Sequence, residues 1–375
     1  MYNIIQETLE EKQRVDFVLD TSASFDRLFH LAFSSYRKGI VFCDESLRDL
    51  WWPKLNSVLA DKIEIIAADF LPACEATKSI DNYVKLVDRL GELHCTRSDL
   101  IVAIGGGCVL DAVAYLASTY MRGVPLLMIP TTLIGQADAS TAGKTCINTR
   151  YAKNQIGTLY LPRYVYNNVQ ILKTTTAYEM RQGFSEIFKY GLLGSKNLPD
   201  QLISYRECPR DDLLLDILAE TISVRITTRR RDPLASNFGH TFGHAFEKIS
   251  NFAVNHGDAI AAGMVFALEF GVREGLLSRE IKDEIVRKME LLGLNTKVEP
   301  HIDIDDMLDL MLHDKKSSGN VIGLILLQDI EKPVQVDGSP FYEVAPEKMR
   351  VFLKEMLTDP RYVQEHQWQK LRDHP

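Results

Sequence analysis

The stretch "DLIVAIGGGCVLDAVAYLAS", residues 99–118, constrains the fold of this chain more than any other. A continuous apolar, β-branched run ends on three glycines, and the apolar spacing then turns helical. A buried strand feeding a glycine turn and then a helix is the repeating joint of a parallel, doubly wound sheet. The alternation recurs on both sides. "KGIVFCD" (38–44), "IEIIAAD" (63–69) and "VPLLMIPTT" (124–132) have the character of buried strands, and "SIDNYVKLVDRLGEL" (79–93) and "VLDAVAYLASTYMRG" (109–123) that of helices. After "YVYNN" (164–168) the texture changes. From about residue 175 to 358 helical periodicity dominates, with "VIGLILLQ" (321–328) the exception. The pattern predicts an α/β, Rossmann-like doubly wound domain over 1–172, a mainly α-helical domain over 173–358, and a polar tail over 359–375.

At 375 residues the chain is long enough for two such cores. A formal net charge of −8 argues against broad affinity for nucleic acid or anionic membranes, yet leaves room for a local basic pocket that takes a phosphorylated metabolite. No apolar run approaches the ~20 residues of a spanning helix. The start, "MYNIIQETLEEKQ", lacks a basic segment followed by an apolar one, so no secretory leader is expected. Six scattered cysteines without a CxxC pair read as reduced thiols. A soluble cytoplasmic enzyme is the expectation.

Gly105, Gly106 and Gly107 stand where a strand ends and a helix begins, with Asp111 four residues beyond. Glycines there let backbone N–H groups approach a pyrophosphate, which the helix N-terminus then stabilises. The spacing differs from GxGxxG, and a plain tight turn would also use glycine. A second stretch, "IPTTLIGQADASTAGKTCIN" (129–148), reads as a hydroxyl-rich loop after the next strand and contains Lys144. Two such loops at successive strand ends favour a nucleotide site over a turn.

"NFGHTFGHAFEKISNFAVNHGDAI" (237–260) holds three of the nine histidines within seventeen residues. His240 and His244 are four apart and share a helical face, and His256 opens the next helix after a short break. These are either helix starts whose histidines are satisfied by backbone groups, or the wall of a metal site. Zinc and similar ions favour imidazole, and a catalytic site has three protein ligands and an open position. A third ligand is available in "RQGFSEIFKYGLLG", where Glu186 lies in an apolar, aromatic helix with Lys189 one turn away. Burying both charges is costly without partners. A metal would account for Glu186 and an anionic substrate for Lys189. A simple Glu186–Lys189 helix pair is the alternative.

Ten stretches in order, "CEATKS", "GGGCVLD", "YMRG", "IPTTL", "DASTAGKTCIN", "AKNQIGT", "SEIFKYG", "NFGHTFGHA", "HGDAIAAGM" and "HDKK", resemble the 3-dehydroquinate synthase family of sugar-phosphate cyclases over about residues 38–330. The resemblance implies an NAD-binding amino-terminal domain, a helical metal-binding domain and an active site between them. It implies zinc or cobalt on Glu186, His240 and His256. Asn237, His244, Lys189, Asp138, Lys144, Lys153 and Asn154 would line the substrate, with Lys315 or Lys316 adding positive charge. Arg122 would reach the phosphate site of a neighbouring subunit, making a homodimer. Asp44, Glu75, Lys78, Gly105, Gly106, Gly107, Asp111, Thr131 and Thr132 would hold NAD, bordered by Asp138, Lys144 and Lys153. The implied reaction oxidises a sugar-phosphate hydroxyl with NAD+, eliminates phosphate, returns the hydride and closes a carbocycle by an intramolecular aldol step. It is a carbon–oxygen lyase reaction, a step of the shikimate pathway to aromatic amino acids when the substrate is 3-deoxy-arabino-heptulosonate 7-phosphate.

The chain also departs from the family. In dehydroquinate synthases an arginine-bearing segment precedes "NFGH"; here "RRRDPLASNFGH" is shorter, and Pro233 stands in the arginine's place. Proline offers no hydrogen-bond donor. The family's lysine one helical segment earlier is replaced by Arg225. Arg229, Arg230 or Arg231 could grip a substrate carboxylate bidentately instead, or form a solvated helix end. A carboxylate-free substrate, sedoheptulose 7-phosphate or glucose 6-phosphate, is therefore the second expectation. Metal-dependent polyol or glycerol-phosphate dehydrogenases, which also carry a GGG…D loop, are the third.

Overall fold

The computed structural model describes residues 14–25, 27, 28, 31, 33–150, 153–232, 234–313 and 320–368. Two compact units emerge: the described residues up to Pro130 together with Ala142–Asn167, and Thr131–Thr141 together with the described residues from Asn168 onward.

The first unit is built on strands β1 (Asp16–Asp20), β2 (Gly39–Asp44), β3 (Ile65–Leu71), β4 (Leu100–Gly105), β5 (Leu126–Pro130) and, after the hairpin β6 (Lys144–Ile147) and β7 (Ile156–Leu159), β8 (Tyr164–Asn168). The sheet order is β1-β8-β5-β4-β2-β3, and the pairings from β3 through β2, β4 and β5 to β8 are parallel. Helices α1 (Trp52–Ala60), α2 (Ile80–Glu92) and α3 (Gly107–Thr119) connect them. β2, β4 and β5 are buried along their whole length, as strands covered on both faces must be. Leu86 and Leu90 of α2 and Val109, Val113 and Leu116 of α3 pack in one core with Ile40, Ile101 and Ala103. The chain steps from β2 outward to β3, then returns to the other side of β2 for β4. That reversal is the switch point beyond whose strand ends a ligand crevice opens in such sheets.

The expected strands and helices of this unit form, with β3 two residues further along than its apolar run. Two elements escaped the sequence pattern. β1 is a five-residue edge strand with an aspartate at each end, and in β6 and β7 buried and exposed positions alternate weakly. The 129–148 stretch, expected as a loop, is α4 (Leu133–Ala137), a 3-10 turn and strand β6. Its residues 131–141 belong to the second unit.

The second unit continues with α5 (Ala177–Gly194), α6 (Leu198–Glu207), α7 (Asp211–Arg231), α8 (His240–Ile249), α9 (His256–Arg273), α10 (Arg279–Leu291) and α11 (Ile304–Leu312). A capping box between Thr176 and Glu179 opens α5, worth about 1 kcal/mol. Buried Phe242, Phe246, Phe266, Phe270 and, from α12 (Pro346–Met356), Phe352 meet largely edge to face. Each fully buried ring contributes about 2–3 kcal/mol. The apolar run 321–328 is two strands rather than one. β9 (Ile322–Leu324) pairs with β12 (Tyr342–Val344), and β10 (Leu327–Asp329) with β11 (Lys332–Pro333), so the change of partner breaks the run at buried Ile325 and Leu326. The described part of the 359–375 tail is anchored at particular residues. Tyr362 is buried with its hydroxyl on Glu269, and Val363 bridges to Val298. All six cysteines are free thiols. Among the described residues no helix is long and apolar enough to cross a membrane.

Candidate functional site

Two helices bring the histidines together because glycines let their backbones touch. Gly239, the residue before α8, has φ +77°, and a side chain on Gly263 of α9 would sit 2.2 Å from the Gly239 carbonyl oxygen. With no Cβ on either residue, α8 and α9 close up, and the His240 and His256 rings lie 5.5 Å apart. Glu186 of α5 completes the group: one ligand atom each from Glu186, His240 and His256 lies within 4.8 Å of the others.

The protonation pattern within this group can be argued from its partners. His240 Nδ1 lies 3.1 Å from the Phe238 carbonyl, which can only accept, so Nδ1 carries a proton and Nε2 is the nitrogen left to face the cluster. That Nε2 is 3.8 Å from Glu186 Oε1, and His256 Nε2 is 3.5 Å from it. The other His256 nitrogen is 3.5 Å from Glu247 Oε2. Glu186 is fully buried; Oε2 accepts from Lys189, whereas Oε1 has no hydrogen-bond partner. Burial pushes the Glu186 carboxyl up, but Lys189 and His256 together hold the acid below the usual carboxylate range. An ionised, buried oxygen facing two imidazole nitrogens and no donor hydrogen bond is what a divalent cation would satisfy. The residues fit a metal.

Beside this cluster Asp138 gathers cations. Its Oδ1 accepts from Tyr190 Oη at 2.6 Å and from Arg225 Nε at 2.8 Å. Burial pushes the Asp138 carboxyl up, but Arg225 and Lys189, with the Tyr190 hydroxyl, hold it well below the usual range. The Lys189 ammonium lies 4.5 Å over the Tyr190 ring. Arg225 is thus buried and engaged with a carboxylate of its own unit. His244 lies with its ring 5.3 Å from that of His240. Asn237 closes a 3-10 turn three residues before His240 and donates its amide to the Leu234 carbonyl. Arg230 and Arg231 are exposed at the end of α7, as a solvated helix end requires, and Arg229 is half-buried. Thr132 caps α4 through its hydroxyl, and Thr131 is buried next to it. Pro233, Lys315 and Lys316 lie outside the described residues.

In the first unit the expected cofactor residues collect at the strand ends. Asp44 ends β2 and accepts from the Ser46 N–H and hydroxyl. Gly105 ends β4, and α3 begins at Gly107 with Gly106 as its N-cap and no side chain capping it. A Cβ on Gly107 would meet nothing within 4 Å, so the helix N-terminus is open to an anion. Lys78 donates to Asp111 at 2.7 Å and to Asn154, and Lys153 pairs with Glu75 at 3.3 Å. Burial pushes the Lys78 ammonium's pKa down, but Asp111, Cys146 and Glu75 together raise it above the usual lysine value. Lys153, expected at both substrate and cofactor, and Asn154, expected at the substrate, sit among expected cofactor residues. Lys144 starts β6 at an exposed position. Arg122 has φ +65° in an exposed turn whose carbonyls accept from Arg97.

Tyr190, Glu247 and Asn148, which binds Glu75, were not singled out from sequence. Only Tyr190 carried a signal, its place beside Lys189 in an otherwise apolar helix.

The family described as 3-dehydroquinate synthase N-terminal matches residues 69–182, and its C-terminal counterpart matches 183–317. A 3-dehydroquinate synthase of Streptococcus gordonii is 34% identical over 328 residues, 85% of this chain and 90% of that protein. A 2-epi-valiolone synthase of Actinosynnema mirum is 33% identical over 306 residues, 78% of each. A solved 2-deoxy-scyllo-inosose synthase, complexed with carbaglucose-6-phosphate, NAD+ and Co2+, shares the fold with a TM-score of 0.82 at 22% identity, covering 90% of this chain and 96% of that one.

Proposed function

Since the chain belongs to the 3-dehydroquinate synthase family of sugar-phosphate cyclases, we propose that it converts a phosphorylated keto-sugar into a carbocycle, with 3-deoxy-arabino-heptulosonate 7-phosphate as first candidate. The single observation that carries this reading is the buried Glu186–His240–His256 group, with an unsatisfied carboxylate oxygen and Lys189 beside it. Glu186, His240 and His256 would hold zinc or cobalt, and the open start of α3 with Asp44, Glu75, Lys78, Asp111, Thr131 and Thr132 would hold NAD. Bound, the two groups supply hydride transfer and polarisation of the substrate hydroxyls, so that NAD is regenerated each turnover.

The chain's own residues do the rest. Lys189, buried and paired with Glu186, stands in a water-poor site where oxyanions of the substrate would develop. Asp138 stays ionised and spends only Oδ1 on Tyr190 and Arg225, leaving Oδ2 to orient a hydroxyl. Asn237 and His244 line the substrate next to the metal ligands. We assign Lys144, Lys153 and Asn154 to the substrate by the same motifs, and Arg122 to the phosphate held by a neighbouring copy, which makes the working unit a homodimer. The reaction releases phosphate with no net redox change, as a carbon–oxygen lyase, and we place it in the cytoplasm.

One observation favours a second reading. Arg225, one of the cations that could replace the family's carboxylate grip, already engages Asp138 through Nε. A substrate without a carboxylate, sedoheptulose 7-phosphate or glucose 6-phosphate, would need no such grip. Replacing Arg225 is a poor way to decide, because it unpairs buried Asp138 for every substrate. Offering the three sugar phosphates separately and following phosphate release decides instead. Turnover should need added NAD without build-up of NADH absorbance. Stoichiometric NADH formation would move the protein to dehydrogenase chemistry, and no phosphate release from any of the three would sink the reading.

A further inference from the structure

Beyond the ligands, the residues that fix α5 against α9 form a closed circuit of hydrogen bonds. Asp258 stands two residues after His256 and is buried to 1% exposure. Its Oδ2 accepts from Gln182 Nε2 at 2.7 Å and from Tyr178 Oη at 2.9 Å, while Gln182 Oε1 accepts from the Asp258 backbone N–H at 3.1 Å. Asn255 Nδ2 donates to the same Tyr178 oxygen at 2.8 Å. Arg181 Nε lies 3.8 Å from Oδ1. Gln182 is one helical turn before Glu186 on the same face of α5, so each end of the circuit is one short step from a proposed metal ligand.

A second observation shows how tight the joint is. A Cβ on Gly257 would lie 2.5 Å from the Gln182 carbonyl oxygen and 2.6 Å from its Cα. Only a glycine between His256 and Asp258 lets the first turn of α9 lie directly on α5. The reciprocal bonds then set rotation as well as distance, because a side-chain amide that both donates and accepts fixes its partner in one orientation.

We propose that Asp258 and Gln182, assisted by Tyr178, are positioning residues that hold Glu186 and His256 at the spacing a divalent cation needs. They act through the ligands and touch neither metal nor substrate. The inference rests on the metal reading of the site. Removal of partners outside the first ring of ligands weakens metal binding about 10- to 100-fold in comparable sites.

The test is a titration of the full-length, metal-stripped protein with Co2+, followed by calorimetry and visible absorbance, alongside thermal unfolding of the metal-free form. Asp258→Ala and Gln182→Ala should each bind Co2+ about 10- to 100-fold more weakly than the unaltered chain. Asp258→Asn keeps an acceptor for both donors and should restore most of the affinity. Tyr178→Phe removes one hydroxyl, keeps the ring, and should weaken Co2+ binding by a smaller factor even if the alanine variants fold poorly. A merely structural role would lower the melting temperature and leave the affinity of folded molecules unchanged. The clamp is overturned if Gln182→Ala and Tyr178→Phe bind Co2+ like the unaltered chain while His256→Ala does not. Failure of the unaltered chain to bind Co2+ overturns the metal reading itself, and the clamp with it.

Discussion

The two charged clusters of this protein are answered in opposite ways. In the first unit, Glu75, Lys78, Asp111, Lys153 and Asn154 satisfy one another: Glu75 takes Lys153 on one oxygen and Asn148 on the other, and Asp111 takes Lys78. The Glu75 side chain is 44% exposed, so water shares the load. In the second unit, Glu186 is sealed from solvent, and one of its oxygens is left facing two imidazoles. The first cluster is complete as folded, with the uncapped start of α3 at its edge. The second is incomplete in a place where incompleteness is costly. A buried carboxylate oxygen without a hydrogen-bond partner is tolerated in a low-dielectric interior when something outside the chain completes it.

Substitutions at matching points of the two clusters sharpen the contrast. The largest effect is expected from His256→Ala, which should lower turnover about a thousandfold or more and abolish bound zinc or cobalt. Full metal occupancy by elemental analysis in that variant would show that the ligand set is wrong. Next, Lys78→Met removes the partner that Asp111 needs in the first unit. Breaking such a pair should cost about 3 kcal/mol in urea unfolding while leaving the metal content untouched. Loss of metal in that variant would erase the distinction between the clusters.

Gly107→Ala probes the open edge of the first cluster. Its new methyl meets nothing in the protein, so stability should hold or rise by about half a kcal/mol. NAD binding should nevertheless weaken about tenfold, because the methyl stands where a phosphate would approach. Unchanged NAD affinity by fluorescence titration would remove the start of α3 from the cofactor site.

The smallest effect is one of pH. Burial pushes the His256 imidazole down, but Glu247 and Glu186 push it up, to about 10. A group raised above its unfolded value of about 6.5 stabilises the fold fully below that pH, and the contribution is lost as pH rises through about 10. The ring is 37% exposed, so solvent trims the effect. The metal-free protein should thus have a lower urea midpoint at the alkaline end of this window, and His256→Asn should flatten that fall. With zinc bound, which needs the neutral ring, the fall should also disappear. A metal-free protein whose midpoint rises across the window would contradict the assignment.

Much of this was legible in the order of residues. Continuous apolar runs such as "IVAIG" and "LLMIP" announce buried parallel strands because both their faces must be covered. The three histidines within seventeen residues were legible as a cluster, but the glycine contacts that let α8 pack on α9 show only in the structure. Other features had no local signature. β1 and the β6–β7 hairpin are too short and too mixed in burial to rise above a loop. Glu247 and Asp258 look like ordinary surface acids at helical spacing, and nothing nearby in sequence names their partners.

The sequence by itself determined which residues could do chemistry: three histidines, one acid in an apolar helix, a glycine turn at a strand end. Those choices are local, written in residue type and in spacings of a few positions. Tertiary structure alone decided which of them are answered from within the chain. That Arg225 belongs to Asp138, that Lys78 belongs to Asp111, and that one oxygen of Glu186 belongs to neither follows from contacts across 87, 33 and 54 or more positions of chain. Charge pairing is set by distance and burial in space, and a sequence carries neither until helices and strands have packed.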